Sequence, residues 1–511
     1  MLQIKDLTVS RMRDGYPLIS NLSFSLQKGD KLAIIGAEGN GKSALLRVIC
    51  RPDLAAPYLQ WSGTVIHQPW RLGYLEQECP KELLRAKVSE FILPYLSDAD
   101  LFRQAGLMGL DAGLFYAARP LGSLSGGERM KLRLLRLILD RPDIYVLDEP
   151  ANNLDLEGIG YVESLIRELP EPVLYVSHDE TLLERTATRI LHIEQIWRRT
   201  EARATYSGLG FSEYREQFLY NFEKQNQLAA KAEAESRSKR QRHLEIQDKV
   251  HRDQMNISRG DPSGGRLLKK KMHAVKSTGR RMEREYEDRI RRTDREDDVD
   301  FLLSDMPGLP RDKEVLRLDL PELRAGGRLL SKDIRLDVRG TERIGITGAN
   351  GCGKSTLLSL IGDHLSGKRD LTVFYFPQDW KDLLDDQESA LYFLDPQGSA
   401  EIRQTASDLL GSLNFSREEM LRPPSTFSGG QKVKLVYAKL RLTRPNVLLL
   451  DEATRYLSPL SNPAFRKSLA DFPGAIISIS HDRAFLREIC DRVLRLTEVG
   501  LSEENPKLYG E

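Results

Sequence analysis

Eight residues occur twice in this chain in nearly the same form. Gly36-Ala37-Glu38-Gly39-Asn40-Gly41-Lys42-Ser43 and Gly348-Ala349-Asn350-Gly351-Cys352-Gly353-Lys354-Ser355 both read G-x-x-x-x-G-K-S. Each follows a short apolar run that reads as a strand, Lys31–Ile35 and Arg343–Thr347. Each precedes a helical pattern, Ala44–Ile49 and Thr356–Ile361. A glycine-rich loop between strand and helix is the setting in which successive backbone N–H groups close around a polyphosphate. The helix N-terminus adds a positive dipole end.

The repeat extends further. Ser125-Gly126-Gly127 is answered by Ser428-Gly429-Gly430, Asp148-Glu149 by Asp451-Glu452, and Ser177-His178-Asp179 by Ser480-His481-Asp482. The spacings match: 23 residues from Ser125 to Asp148 and from Ser428 to Asp451, then 29 from Glu149 to His178 and from Glu452 to His481. Four motifs in one order, twice, indicate two homologous nucleotide-binding domains, at 1–205 and 312–511. The fold class expected is α/β, with P-loop domains on largely parallel sheets.

The residue types suit phosphoryl chemistry. Lys42 and Lys354 are placed to reach the β- and γ-phosphates, and Ser43 and Ser355 to hold Mg2+. Asp148 and Asp451 end apolar strands, where a parallel sheet presents functional groups, and are candidate Mg2+ ligands. Glu149 and Glu452 are candidates to act on the attacking water. Gln77 and Gln378 each follow a strand-like segment and complete the candidate metal shell. A lone histidine is more often structural, but His178 and His481 both follow apolar strands at the place of a γ-phosphate sensor.

This order resembles the Walker A, Q-loop, signature, Walker B and H-loop of ATP-binding cassette (ABC) ATPases. The resemblance implies ATP and Mg2+ as cofactors. It also implies ATP contacts from Gly36, Gly39, Asn40, Gly41, Lys42, Ser43 and Ala44, and from Gly348, Asn350, Gly351, Cys352, Gly353, Lys354, Ser355 and Thr356. In that family the two domains pair head to tail, so Ser125, Gly126 and Gly127 would cap the nucleotide on Lys354. Ser428, Gly429 and Gly430 would cap the one on Lys42. Both sites then form within one chain, which is expected to be a monomer. The second half departs from the family pattern at Ser458, which stands where the first half has Asp155. Unequal sites are therefore expected. Tyr16 is a candidate adenine platform in the first half, with no evident counterpart in the second.

Residues 206–311 have no partner in the repeat. Ser212–Ile257 and Arg266–Asp300 read as two long helices around a turn cluster at 258–265. Leu268, Met272, Val275, Gly279, Met282 and Tyr286 step by 4 and 3, an a/d stripe that predicts an antiparallel coiled-coil hairpin. The net charge of the chain is only +1, which would suit an enzyme with no polyanionic partner. The average hides a division. Between Arg237 and Arg295 there are 19 Lys and Arg against 9 Asp and Glu, so the rest of the chain is acidic. Arg259, Lys269, Lys270, Lys271, Lys276, Arg280 and Arg281 cluster at and after the turn and are candidate RNA-backbone contacts.

Tandem cassettes with a long charged helical linker resemble the ABC-F family of ribosome-associated ATPases. That resemblance implies binding near the ribosomal E site, with the linker directed at P-site tRNA, large-subunit rRNA and the peptidyl-transferase centre, and release on hydrolysis. Some members are housekeeping translation factors and others protect the ribosome from antibiotics. Only 23 residues, Arg51–Gly73, run from the end of the first Walker A helix to the first residue of the Gly-Tyr-Leu-Glu-Gln segment, which leaves little room for an arm insertion. This and the long linker resemble the resistance branch. An exporter ATPase subunit and a DNA-repair ATPase are the alternatives. The first gives no role to a basic hairpin, and the second usually has its coiled coil interrupting a cassette. Four dispersed cysteines indicate neither a disulfide framework nor a zinc module. No apolar run approaches a membrane span and no signal-peptide pattern opens the chain, so a cytoplasmic protein is expected.

Overall fold

The computed structural model describes residues 2–510 apart from 197–200, 257–261, 288–301, 379, 380, 385–387, 414, 428 and 456. The chain divides into two compact units, residues 1–212 with 295–511, and residues 213–294.

The first unit holds two six-stranded sheets of the same strand order. One runs Leu72–Leu75, Ile144–Asp148, Val173–Val176, Lys31–Ile35, Arg189–Ile196 and Glu201–Ser207. The other runs Val373–Phe376, Val447–Asp451, Ala475–Ile479, Arg343–Thr347, Arg492–Thr497 and Gly500–Glu504. In each sheet the first five strands are parallel and the last is antiparallel. Every residue of Ile144–Asp148, Val447–Asp451 and Ala475–Ile479 is buried, as expected of strands covered on both faces. Leu32, Ile34, Leu45, Val146 and Val176 belong to one apolar cluster, and Ile344, Ile346, Leu357, Leu449 and Ile477 to its counterpart. The glycine-rich loops, the Asp-Glu pairs and the Ser-His-Asp motifs therefore leave the carboxyl edge of their sheet, where α/β folds bind ligands, whereas Gly126 and Gly429 open the helices Gly126–Leu139 and Gly429–Thr443.

The halves differ beside these sheets. The first carries a three-stranded antiparallel sheet of Pro17–Leu26, Leu2–Arg11 and Leu59–Ile66; the second carries only Glu314–Ala325 and Arg328–Arg339. Connection length explains it. Between the Walker A helix and the next core strand the first half has residues 51–71, enough for an extra strand, whereas the second has only 367–372. In the stretch after Arg51, where little room for an insertion is expected, lie a short helix, Pro52–Ala55, and the strand Leu59–Ile66. Among the described residues no helix is long and apolar enough to cross a membrane.

The second unit is a pair of helices. The first, Phe211–Asn256, enters from the first unit and runs 46 residues, roughly 70 Å of helix. The other, Pro262–Glu287, starts earlier than the expected Arg266. Proline suits a first helical position because the N–H it lacks has no partner there. The turn is therefore shorter than 258–265; Arg259 lies outside the described residues, as do 288–300 of the expected second helix. Met272 and Val275 are half-buried between exposed Lys271, His273, Ala274 and Lys276. A Cβ on Gly279 would lie 3.0 Å from His243 Nε2, so the helices touch where the stripe has its smallest residue. His243, Gln247 and buried Val250 supply the matching 4,3 spacing on the first helix. Lys269, Lys270, Lys271, Lys276 and Arg281 are exposed, and the side chain of Arg280 is outside the description.

Candidate active sites

Each glycine-rich loop is shaped by close approach. A Cβ on Gly36 would lie 2.2 Å from the Ile193 carbonyl oxygen, and one on Gly348 2.7 Å from that of Leu496. Side chains there would push the loop off the sheet. The lysines fold back into their own loops: Lys42 Nζ donates to the Gly36 and Ala37 carbonyls at 2.8 and 2.9 Å, and Lys354 Nζ to those of Gly348 and Ala349 at 2.7 and 3.1 Å. Both ammonium groups are buried.

The acidic ends of the neighbouring strands face these loops. Ser43 lies beside Asp148 and Ser355 beside Asp451, each hydroxyl drawing its carboxyl down against the effect of burial. Burial pushes the Asp148 carboxyl up to about 6 and raises that of Asp451. The Oδ1 atoms of Asp148 and Asp451 are buried without a hydrogen-bond partner among the described residues. A buried carboxylate oxygen left unpaired beside a serine hydroxyl fits a Mg2+ site that takes one carboxylate plus substrate phosphates. Gln77 lies close enough to Glu149 to draw its carboxyl down, and Gln378 lines the cavity described below.

Glu149 and Glu452 both adopt a left-handed backbone, φ 51° and 53°, a strained conformation for a glutamate. It turns the chain out of the strand while Glu149 N still donates to the Val176 carbonyl at 3.1 Å and Glu452 N to that of Ile479 at 3.0 Å. The carboxylates then meet the histidines: His178 Nε2 is 3.7 Å from Glu149 Oε1, and His481 Nε2 is 3.6 Å from Glu452 Oε1. Burial, reinforced by Lys42 and Lys354 respectively, holds His178 down at about 3 and His481 at about 4, so both rings are neutral near pH 7. Burial raises both glutamates against the pull of nearby cations.

The two halves meet head to tail. Asn350 Nδ2 donates to the Asn153 carbonyl at 2.5 Å, tying the second glycine-rich loop to the segment after the first Asp-Glu. A Cβ on Gly127 would lie 3.0 Å from both Asn350 Nδ2 and the Asn153 carbonyl oxygen. Ser125 caps the helix Gly126–Leu139, its Oγ accepting from Glu128 N at 3.2 Å, so that helix start faces Asn350 and Gly351. In the other site Glu38 takes the place of Asn350: a Cβ on Gly429 would lie 2.1 Å from Glu38 Oε2. Ser428 lies outside the described residues, but Gly429 opens the helix Gly429–Thr443. His178 Nδ1 bonds the Leu457 carbonyl across the interface at 2.9 Å. A carbonyl only accepts, so Nδ1 carries the proton. His481 has no such bond; both its ring nitrogens are buried without a hydrogen-bond partner among the described residues.

Around Ser458 the two halves differ locally. Asp155 caps the helix Leu156–Glu168, accepting from Gly158 N at 3.0 Å, and its charge reaches His481. Ser458 bonds Ser461 Oγ at 2.9 Å, and the helix in its half begins only at Asn462. Two departures thus fall on the site that contains Lys42, Glu38 for Asn350 and Ser458 for Asp155, while Arg455, in the place of Asn152, acts on the glutamates of both sites. Glu38 and Arg455 escaped the motif reading, although a position-by-position comparison of the repeats would have exposed both.

Tyr16 donates from its hydroxyl to Gln195 Oε1 at 3.3 Å and has the Arg11 guanidinium 4.8 Å from its ring centre. The second half has no aromatic residue at the matching position. Leu18 packs on Gly41 as Leu330 packs on Gly353, so the place of Tyr16 is taken by Arg328.

Comparison with known proteins agrees with this geometry. The ABC transporter family matches residues 19–152 and 331–455. Protein GCN20 of Saccharomyces cerevisiae is 27% identical over 536 residues, spanning 94% of this chain and 68% of its own length. Probable ATP-binding protein YheS of Escherichia coli strain K12 is 27% identical over 520 residues, 93% of this chain and 75% of its own. ABC transporter F family member 5 of Arabidopsis thaliana is 24% identical over 561 residues, 97% and 75% respectively. Among solved structures, the RNase-L Inhibitor superposes with a TM-score of 0.58 at 18% identity, covering 98% of this chain and 90% of that one. ABCE1 in a structure titled as ribosome-bound archaeal Pelota and ABCE1 superposes with 0.57 at 18%, covering 98% and 79%. The chain belongs to the ATP-binding cassette family and is an ATP hydrolase. Within that family it is a tandem ATPase of the ABC-F type.

Proposed function

We propose that this chain closes around two ATP molecules, binds the ribosome while closed, and leaves on hydrolysis. The observation that carries the ATP part is the crossed contact of Asn350 with Asn153 and of Glu38 with Gly429. In this reading cassettes at 1–205 and 312–511 flank a linker at 206–311. Lys42 and Lys354 swing from their own carbonyls onto phosphate oxygens. Ser43, Asp148 and Gln77 hold one Mg2+, and Ser355, Asp451 and Gln378 the other. Mg2+ would neutralise charge developing on the β- and γ-oxygens. Glu149 and Glu452 orient the attacking water, and His178 and His481 sense the γ-phosphate. The helix starts at Gly126 and Gly429 present backbone N–H groups to the phosphate from the opposite half.

The ribosomal part rests on the exposed lysines of the helical unit and on the relatives. A lysine cluster on a long helix suits phosphate backbone and reads no sequence. We place the chain in the cytoplasm as a monomer, near the E site, with its linker toward P-site tRNA and large-subunit rRNA. Antibiotic resistance by ribosomal protection is favoured over a housekeeping role because residues 51–71 hold a strand rather than an arm. Replacing Glu149 and Glu452 with Gln should trap ATP and enrich the chain on ribosomes in a sedimentation assay. Recovery only with membranes or DNA would overturn the reading. Expression in a sensitive host without any change in susceptibility to large-subunit antibiotics would leave the housekeeping role.

A further inference from the structure

A cavity of about 280 Å3 between the two halves is lined by residues of both sites, including Glu149, His178, Glu452 and His481. One guanidinium, that of Arg455, lines it with them. Arg455 lies three residues after Glu452 and donates its backbone N–H to the Glu452 carbonyl at 3.1 Å; Asn152 makes the same turn after Glu149 at 3.0 Å. The two positions are therefore equivalent. Asn152 serves its own site, its Nδ2 donating to Glu149 Oε2 at 3.3 Å. Arginine is longer, permanently charged and carries five donors.

We propose that Arg455 is a positioning residue shared by both ATP sites, orienting Glu452 within its own half and Glu149 across the interface. The charge distribution supports this. Arg455 is the foremost cation acting on Glu452, and it also acts on Glu149, on Glu38 and on His178. Glu149 and Glu452 line one cavity from opposite halves. The Arg455 cation reaches Glu149 only when the second half is docked, so alignment of Glu149 depends on the position of the other half. Asparagine at this place, as in the first half, would serve one carboxylate only. The inference rests on the assignment of Glu149 and Glu452 as the water-orienting residues.

The test is steady-state ATP hydrolysis by the full chain carrying R455N or R455K, each also combined with E452Q. With R455N, kcat should fall about ten-fold while KM changes less than two-fold, and any Hill coefficient above one should drop to one. R455K, which keeps the charge, should recover at least half of kcat. In the E452Q background only Glu149 remains, and R455N should still lower turnover several-fold. Wild-type kcat in R455N, or no effect of R455N in the E452Q background, would overturn the proposal. So would equal loss in R455N and R455K with KM and Hill coefficient unchanged, the pattern of a structural residue. Should R455N fail to fold, R455K decides alone: kcat below a tenth of wild type would contradict a role for the charge. E149Q and E452Q are measured in parallel. If the chain with both retains multiple turnover, the site assignment fails rather than the role of Arg455.

Discussion

Arg466 of the second half and Glu180 of the first form a bidentate ion pair across the interface, with N–O distances of 2.6 and 3.1 Å and both side chains 4% exposed. Arg483 reaches Glu163 at 2.8 Å and Arg495 reaches Glu157 at 3.0 Å across the same interface. In all three pairs the first half supplies the acid and the second the base. Glu38 facing Lys432 and Arg455 repeats the polarity. Like halves brought together on this face would confront acid with acid or base with base.

The buried pair should be expensive to break. Replacing Arg466 with Met removes the bidentate partner of a buried carboxylate, and stability should fall by about 3–5 kcal/mol. Adding Glu180→Gln should recover part of it. Arg495→Ala, which removes an exposed pair, should cost about 1 kcal/mol or less. Denaturant unfolding of the four chains checks the order.

Glu38 sets a carboxylate where the other site has Asn350. Burial beside the phosphate loop raises that carboxyl, and a triphosphate arriving there meets its charge or requires its protonation. Glu38→Asn in a chain already carrying E149Q and E452Q should tighten one of two ATP-binding events about ten-fold, or about 1.4 kcal/mol, leaving the other unchanged. Calorimetric titration separates the two.

The neutral histidines make stability pH-dependent. An unfolded histidine titrates near 6.5, whereas His178 and His481 are held at about 3 and about 4. The unfolded chain therefore binds more protons below pH 6.5. Their contribution is fully present above that pH and is lost as pH falls toward 4, by about 2 kcal/mol each at pH 5. Unfolding measured from pH 7 to 5 should show this slope, and His178→Gln with His481→Gln should flatten it.

The exposed lysines bear on the ribosomal reading. Changing Lys269, Lys270 and Lys271 to Gln should leave ATP hydrolysis intact and weaken ribosome binding, with the salt dependence shallower by about two to three in log–log slope. Binding measured at several salt concentrations checks it.

Local motifs made much of this molecule legible. The two loops, Asp148, Asp451, Glu149, Glu452 and the histidines lie together because each motif sits at a strand end and parallel strands bring their ends to one edge. The helical unit was legible from its 4,3 stripe, but its turn was drawn too long because Pro262 reads as a breaker until it is seen at a helix start. Glu38 and Arg455 were hidden because their meaning lies in the other half: only pairing sets a carboxylate against Gly429, or one guanidinium before two glutamates.

Head-to-tail pairing is the claim on which the rest depends, and single-turnover hydrolysis in an E149Q chain tests it most directly. There only Glu452 works, in the site built from Lys354 and the first half's Ser125-Gly126-Gly127. Gly127→Asp should abolish that turnover, and Gly430→Asp should change it far less. Loss with Gly430→Asp and retention with Gly127→Asp would contradict the account.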